Sequence, residues 1–344
     1  MRRAPYGKVA RRMNNASRTL VIINPVAAAA RRRWPEIKAA FAHHNARFDL
    51  HETINAGDAE TAARAALKAD YQTICVVGGD GTLSEAANGF FEWNATDARV
   101  DVQFFPAPVK TKAALAILPA GTGDDFARGL TNTREPLEAW IKRFIAHCLR
   151  DAHDKETTRV IDVVAARTGK SERAFVYLNV ATIGLGAEVA RRVAAQSSLM
   201  RRLPGEARFT AAALGALAAW RERHVRVTID DNSVFECNSN LLAVANGIYA
   251  GGGMMFAPNA RTDDGEADFL MACGISRATI LRELPRIRAG KHLQNPNVRY
   301  AKAARIRIET FAPDDALLIE ADGNVRGHTS AEFHVMPHAL RIVF

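Results

Sequence analysis

A glycine-rich turn with a single carboxylate occupies residues 78–82, where the chain reads Gly-Gly-Asp-Gly-Thr. The apolar run Ile74–Val77 precedes it and a helical pattern follows, so the predicted order is strand, tight turn, helix. Glycines let backbone N–H groups approach an anion closely, and a helix N-terminus adds positive partial charge. Asp80 would repel a phosphate, so its presence predicts binding of Mg²⁺ or proton transfer from a hydroxyl. A plain β–α turn capped by Asp or Thr is the structural alternative.

A second turn repeats this design at residues 120–128. The apolar run Ala116–Pro119 leads into Ala-Gly-Thr-Gly-Asp-Asp-Phe-Ala-Arg, which again combines a Gly/Thr turn, carboxylates and a helical start. Open α/β sheets bind ligands at the carboxyl ends of their strands, so the two turns predict one shared crevice. The chain has a Gly-Lys-Ser sequence at residues 169–171, but Val164 stands where a P-loop motif carries its first glycine, which argues against a P-loop nucleotide site.

Taken in order, these motifs resemble the lipid kinase family of diacylglycerol and sphingoid-base kinases. The family's segments are matched at residues 24–25, 78–82, 121–128, 179–188 and 246–265. The resemblance therefore covers nearly the whole chain, with Asp124 in place of the family's usual Asn. The Gly-Gly-Asp-Gly run by itself also occurs in NAD kinases, whereas the ordered set is specific.

The resemblance implies an ATP- and Mg²⁺-dependent kinase acting on a lipid hydroxyl, of the diacylglycerol or sphingoid-base type. Phosphoryl transfer requires mainly positioning and charge neutralisation. The residues expected to bind the nucleotide are Asn24, Thr53, Gly78, Gly79, Asp80, Gly81, Thr82, Glu85, Gly121 and Thr122. Two of these have structural alternatives. Glu85 could equally complement the N-terminal charge of its helix, and Thr53 could be an ordinary half-buried strand residue.

Two magnesium positions are also implied. The expected ligands are Asp80, Asp125 and Asp162 for a catalytic ion, and Asp264 with the carbonyls of Arg261 and Glu266 for a structural ion. The resemblance places Asp162 in the cleft near Asp125, although strand alternation leaves a solvated edge position open. A metal-free Asp-Gly turn is the alternative reading of residues 264–265.

One position departs from the family. The family carries Asp-Gly-Glu near the C-terminus, with Glu as general base, and this chain reads Asp322-Gly323-Asn324. Asn cannot accept and hold a proton at neutral pH. Asp80 and Asp322 are the candidate substitutes, so Asp80, Asp322 and Asn324 are the predicted catalytic positions. Loss of a general base costs about 10²- to 10⁴-fold in rate. A nucleotide-binding regulator without activity is therefore one alternative function, and an NAD kinase-like enzyme is the other.

The 344 residues suffice for two domains. Strand–helix alternation over residues 19–157 predicts an α/β nucleotide-binding domain with a doubly wound, mostly parallel sheet. Short strand patterns over residues 158–337 predict a mainly antiparallel β-sandwich, expected to be the lipid-substrate domain. The resemblance returns residues 338–344 to the first domain. No stretch approaches the roughly 20 apolar residues of a membrane span, and no secretory signal is recognisable.

Charge and cysteine content bear on the compartment. Residues 1–33 contain nine Lys/Arg and no Asp/Glu, so they account for the net charge of +9. Residues 1–18 are predicted to form a basic flexible arm that contacts an anionic membrane, with a solubilising tail as the alternative. The four cysteines show neither metal spacing nor a disulfide framework, which favours the cytoplasm. No nucleic-acid-binding motif accompanies the charge, and the sequence leaves a homodimer open.

Overall fold

A computed structural model describes residues 18–93, 106–149, 157–169, 174–196, 200, 205–239 and 241–344. The predicted basic arm lies outside these residues except for Arg18. Its guanidinium donates to the Ala69 carbonyl at 3.1 Å and to the Tyr71 hydroxyl at 2.8 Å. Arg18 is therefore part of the folded domain rather than of the arm. Within the described residues, none of the helices combines the length and apolar character that a membrane crossing requires.

The strands are, in chain order, β1 Thr19–Ile23, β2 Asp49–Glu52, β3 Thr73–Gly78, β4 Phe91–Glu92, β5 Ala107–Pro108, β6 Ala114–Pro119, β7 Thr158–Thr168, β8 Phe175–Tyr177, β9 Val180–Gly184, β10 Arg223–Ile229, β11 Ser233–Ser239, β12 Leu241–Ala245, β13 Tyr249–Ala250, β14 Met254–Met255, β15 Ala267–Ala272, β16 Val298–Ala303, β17 Arg305–Thr310, β18 Leu318–Ala321, β19 Asn324–His328 and β20 Ala331–Val343. The helices are α1 Ala28–His43, α2 Asp58–Lys68, α3 Asp80–Asn88, α4 Asp125–Thr131, α5 Leu137–Leu149, α6 Leu185–Ala194, α7 Gly205–Ala218 and α8 Arg277–Arg288, and short 3₁₀ turns cover His292–Gln294 and Pro313–Asp315.

The predicted α/β domain is confirmed as a parallel sheet in the order β2-β1-β3-β6. Strands β1, β3 and β6 are apolar runs buried on both faces, because helices cover each side, whereas the edge strand β2 is polar and mostly exposed. Helix α1 packs with α5, and α2 packs with α3. Right-handed crossovers place these two pairs on opposite faces of the sheet. The carboxyl ends of β1, β3 and β6 therefore lie side by side.

The sheet does not stop at the end of the first domain. Strand β20 pairs with β6 in parallel near Arg341 and Ile342, and its earlier half pairs antiparallel with β17. Strand β7 runs antiparallel along nearly all of β20, with a register irregularity between Met336 and Leu340. One ten-stranded sheet therefore joins the nucleotide side to the β-rich side, while the exact domain boundaries remain a prediction.

The β-rich half is the predicted antiparallel sandwich. A six-stranded sheet in the order β16-β15-β12-β9-β18-β19 faces the β7–β17 part of the large sheet. The buried core between them is built from alternating apolar residues such as Tyr177, Phe269 and Phe333. Helices α6, α7 and α8 cover the outer face of the six-stranded sheet through a second apolar cluster.

One sequence-based expectation is wrong here. Cys237 on β11 and Cys273 just after β15 form a disulfide that links the two sheets of the sandwich. The pair is 36 residues apart in sequence, and only the packing of the sheets brings its Cα atoms to 5.8 Å. Spacing alone cannot reveal such a juxtaposition. Cys75 and Cys148 are free and buried.

Candidate active site

The two glycine turns meet at the carboxyl ends of β3 and β6. A Cβ atom added to Gly79 would lie 3.2 Å from the Gly121 Cα atom, and one added to Gly121 would lie 2.7 Å from the Gly79 Cα atom. The contact therefore depends on the absence of a side chain, above all at Gly121. The turns form one crevice, as the two motifs predicted.

Asp80 joins these turns through its carboxylate. It is the first residue of α3, and its oxygens accept the N–H groups of Asp125 at 2.9 Å and Phe126 at 3.1 Å, at the start of α4. Burial and, secondarily, the neighbouring Asp125 carboxylate raise the pKa of Asp80 to about 7, although both amide bonds oppose this shift. Asp80 is therefore a tether between the loops and a carboxylate that titrates near neutrality.

Asp125 presents a different kind of carboxylate. One oxygen accepts the Gly252 N–H at 2.7 Å, from the glycine turn of the β-rich half. The other oxygen is buried and has no hydrogen-bond partner among the described residues. Burial raises the pKa of Asp125, while Gly252 and the Arg128 charge lower it. A buried, unpaired carboxylate oxygen beside Asp80 fits Mg²⁺, which prefers a few carboxylates together with water and phosphate oxygens.

Asn324 reaches the crevice from the β-rich half. It begins β19, and its side-chain Nδ2 donates to the Gly81 carbonyl at 3.3 Å. The β18–β19 hairpin thus faces the first glycine turn, in agreement with the placement that the resemblance implied. An amide at this position can donate to the turn but supplies no proton acceptor of useful basicity.

Family comparisons agree with this architecture. Residues 18–160 match the diacylglycerol kinase catalytic domain, and residues 179–344 match the YegS C-terminal NAD kinase beta sandwich-like domain. A Pseudomonas aeruginosa protein named "Probable lipid kinase YegS-like" is 30% identical over 289 residues, covering 83% of this chain and 81% of that protein. The chain belongs to the diacylglycerol kinase/YegS-like lipid kinase family.

Two further relatives extend over almost the entire chain. The diacylglycerol kinase of Bacillus subtilis is 24% identical over 328 residues, covering 95% of this chain and 96% of that protein. A crystal structure of a diacylglycerol kinase from Bacillus anthracis superposes with a TM-score of 0.64 at 21% identity, covering 96% of this chain and 98% of that one. This last likeness supports the fold of the lipid kinase family.

Asp322, one of the predicted catalytic residues, is engaged in contacts with the protein backbone. Its carboxylate is buried and accepts three backbone N–H groups, from Leu178 at 2.8 Å, Asn179 at 3.1 Å and Val180 at 3.2 Å. Burial raises the pKa of Asp322, and these amide bonds lower it. A carboxylate so fully engaged anchors the hairpin that presents Asn324. Asp80 is therefore the better candidate for a substitute base.

Asp162 and Asp264, which the resemblance implied as metal ligands, both have partners within the protein. Asp162 is fully buried, so the solvated edge position is wrong, and its oxygens accept the Gly265 and His338 N–H groups, each at 2.7 Å. Asp162 on β7 therefore joins the turn at residues 261–266 to β20. Asp264 lies 2.5 Å from the Lys302 ammonium. A positive charge thus already balances Asp264, and these contacts do not support a second magnesium ion there. Within the described part of the chain, no group of three or more His, Cys, Asp or Glu residues has the arrangement of a metal site.

The other predicted nucleotide contacts lie around the crevice with backbone partners. Asn24 accepts the N–H of Val26 at 3.1 Å through its side chain, and so shapes the turn after β1. Glu85 accepts the Gly57 N–H at 3.1 Å, and burial raises the pKa of Glu85. Thr53 is buried at the end of β2, while Thr82 and Thr122 stay accessible on the two turns. These residues therefore lie at the edge of the sheet where the parallel strands end.

Glu320 is the carboxylate that sequence reasoning missed. It is buried on β18, accepts the Thr182 hydroxyl at 2.8 Å, and accepts the Gly323 N–H. Burial raises the pKa of Glu320 to about 7, above its ordinary value near 4.5. Its position two residues before Asp322 is the only signal in the sequence.

The pH dependence of stability tests this assignment. Folding raises the Glu320 pKa, so its favourable contribution is complete below pH 4.5 and is lost as the pH rises through about 7. Glu320→Gln removes the charge, keeps an oxygen for the Gly323 N–H and lets the Thr182 hydroxyl accept from the amide nitrogen. We expect its free energy of unfolding to exceed that of the parent by about 2–3 kcal/mol at pH 8. The two proteins should differ little near pH 4.5. Urea titrations at both pH values measure this, and a Gln variant less stable at pH 8 would contradict the assignment.

Proposed function

We propose that this protein transfers the γ-phosphoryl group of ATP to a lipid hydroxyl of the diacylglycerol or sphingoid-base type. The observation that carries the proposal is the contact between the two glycine turns, with Asp80 and Asp125 at the contact. Backbone N–H groups of such turns bind phosphates, and the carboxylates supply what a phosphate site by itself lacks. Family membership supports the reaction class, and the nature of the lipid is part of the proposal.

Different residues of the chain have different roles in the proposed reaction. The turns at residues 78–82 and 121–122 position the nucleotide. The Gly252 N–H donates to Asp125 and so connects the β-rich half to these turns. Asp125 and Asp80 would hold Mg²⁺, which neutralises phosphate charge when it is bound. If Asp125 holds the ion without Asp80, the Asp80 carboxylate, with a pKa of about 7, can instead accept a proton from the attacking hydroxyl. Asn324 holds the hairpin against the Gly81 carbonyl.

An ATP-consumption assay over a panel of lipid alcohols, with NAD included, tests the proposal. We expect turnover that requires Mg²⁺ and a diacylglycerol or sphingoid base, and none with NAD. Turnover with NAD alone would favour the NAD kinase alternative. ATP binding without turnover on any substrate would favour the regulator, the alternative that Asn324 motivates.

We further propose that the protein contacts anionic membranes through its basic arm. Residues 1–17 carry five Lys/Arg and no acidic residue, each worth about 1 kcal/mol near an anionic surface. Deleting residues 1–17, and keeping Arg18 for its contact with Ala69, should weaken binding to phosphatidylserine vesicles at least tenfold at low salt. Turnover of a dispersed short-chain lipid should be unchanged. Equal vesicle binding by both proteins, measured by sedimentation, would show that the arm has no such role.

A further inference from the structure

A cleft lies between α1, α4 and the start of α5, next to the Gly121 turn. Its volume is about 380 Å³, within the range of small-molecule sites. The guanidinium side chains that line it belong to Arg32, Arg33, Arg128 and Arg134. We name this feature the arginine cleft. Residues 79–82 of the first glycine turn are not part of its lining.

The two acidic residues of the arginine cleft are already neutralised. Asp124 accepts the Gly121 N–H at 2.8 Å and lies 3.4 Å from the Arg134 guanidinium. Glu135 forms a two-point pair with Arg143, which lies outside the lining. Both carboxylates therefore have cationic partners, and neither is left to balance the remaining arginines.

Two guanidinium groups remain. Arg33 pairs with Glu36 at 3.2 Å, but neither Arg32 nor Arg128 has an acidic partner within 4 Å among the described residues. The Nε atom of Arg128 is buried without a hydrogen-bond partner in that same part of the chain. The Arg128 guanidinium is held in place, because it lies 5.4 Å from the centre of the Tyr249 ring. The Arg128 charge also acts on the Asp124 and Asp125 carboxylates, so among the described residues the cleft has an excess of about one positive charge, that of Arg32.

Helix ends add to this positive potential. Helix α1 begins at Ala28 and α5 at Leu137, and both Ala29 and Leu137 line the arginine cleft. The first-turn N–H groups of a helix have no partner inside the helix and carry positive partial charge. The first turn of α1 contains no acidic residue to offset it. The first turn of α5 contains Glu138, so the N-terminus of α1 is the uncompensated helix end at this cavity.

We propose that the arginine cleft binds a phosphate monoester, at a site beside the nucleotide crevice, with which it shares Gly121. Guanidinium groups and helix N-termini are the donors that recognise phosphate oxygens. The cleft also has apolar lining from Pro119, Ala127 and Trp140, which can accept the organic part of a phosphorylated headgroup. A phosphorylated lipid headgroup and free inorganic phosphate share this chemistry. The proposal concerns binding alone and does not depend on the kinase activity proposed above.

Calorimetric titration of the full chain with inorganic phosphate and with dihexanoyl phosphatidic acid tests the site. Arg32→Gln should weaken binding of both probes at least tenfold. Arg31→Gln is the matched control, because Arg31 is exposed on the same helix and does not line the cleft. Its affinity should stay within twofold of the parent. Tighter binding of the phosphatidic acid than of phosphate would identify a lipid headgroup as the source, and equal binding would identify free phosphate.

A second variant should act in the opposite direction. Asp124→Asn keeps an oxygen for the Gly121 N–H but removes the charge that pairs with Arg134. The released guanidinium should strengthen phosphate binding severalfold. Equal losses in Arg31→Gln and Arg32→Gln would mean diffuse surface attraction and would overturn the proposal. Competition by saturating ATP would also overturn it, because the cleft would then belong to the nucleotide site.

Discussion

Asp80→Asn should lower lipid phosphorylation by at least about 10²- to 10⁴-fold while the protein stays folded. The parent carboxylate tethers Asp125 and Phe126 and lies beside the unpaired oxygen of Asp125. Asn keeps one acceptor for the tether but can neither bind a divalent cation strongly nor take a proton. Because the Asp80 pKa is already near 7, loss of the charge should cost little stability, about 1 kcal/mol for one amide bond.

The measurement is the rate of phosphatidic acid formation alongside thermal melting. Asp70→Asn is the matched control, since Asp70 is an exposed residue of the same domain that pairs with Lys110. It should retain the parent rate. A folded Asp80→Asn protein with near-parent activity would show that neither base nor metal function resides at this carboxylate.

Asn324→Glu should raise kcat, by up to about 10²-fold or more if the missing base limits the parent. The side chain already faces the Gly81 carbonyl from the start of β19, so a carboxylate there would point toward the crevice. The gain should appear above the ordinary Glu pKa of about 4.3 and affect kcat more than ATP affinity, because a base acts in the transition state.

Asn324→Gln controls for side-chain length, since it reaches as far as Glu but cannot hold a proton. It should leave kcat at the parent level. A parent that is already fast, together with a slower Glu variant, would mean that another group such as Asp80 has taken over the base role. If the parent and the Glu variant both bind ATP but neither phosphorylates a lipid, the regulatory alternative is supported.

The glycine turns and their strands were predictable because local patterns specify them. An apolar run followed by Gly-Gly-Asp-Gly-Thr dictates strand, turn and helix without help from distant residues. The sheet edge that gathers these turns follows from the rules of parallel topology. The sequence could not show what the carboxylates bind. Asp80, Asp162 and Asp322 each accept backbone N–H groups from a distant segment, and such partners depend on tertiary packing.

Other features escaped prediction for similar reasons. Strands β11, β16 and β19 carry exposed polar residues, so their alternation is weak, and pairing with neighbouring strands defines them. The disulfide between Cys237 and Cys273 requires knowledge of which sheets face each other. The arginine cleft is assembled from α1, α4 and α5 together with the loop before α5, and no single segment carries a motif for it.

The continuity of β20 has a consequence for how the chain folds during synthesis. The nucleotide half needs β20 beside β6, yet β20 is made after the entire β-rich half. Until then β6 presents an unpaired edge, which is a template for wrong pairing. Domains usually fold as they leave the ribosome, N-terminal first. Here the first half cannot complete its sheet in that order, so it should reach full protease resistance only after residue 343 emerges. Truncation before β20 should therefore destabilise the half that was synthesised first.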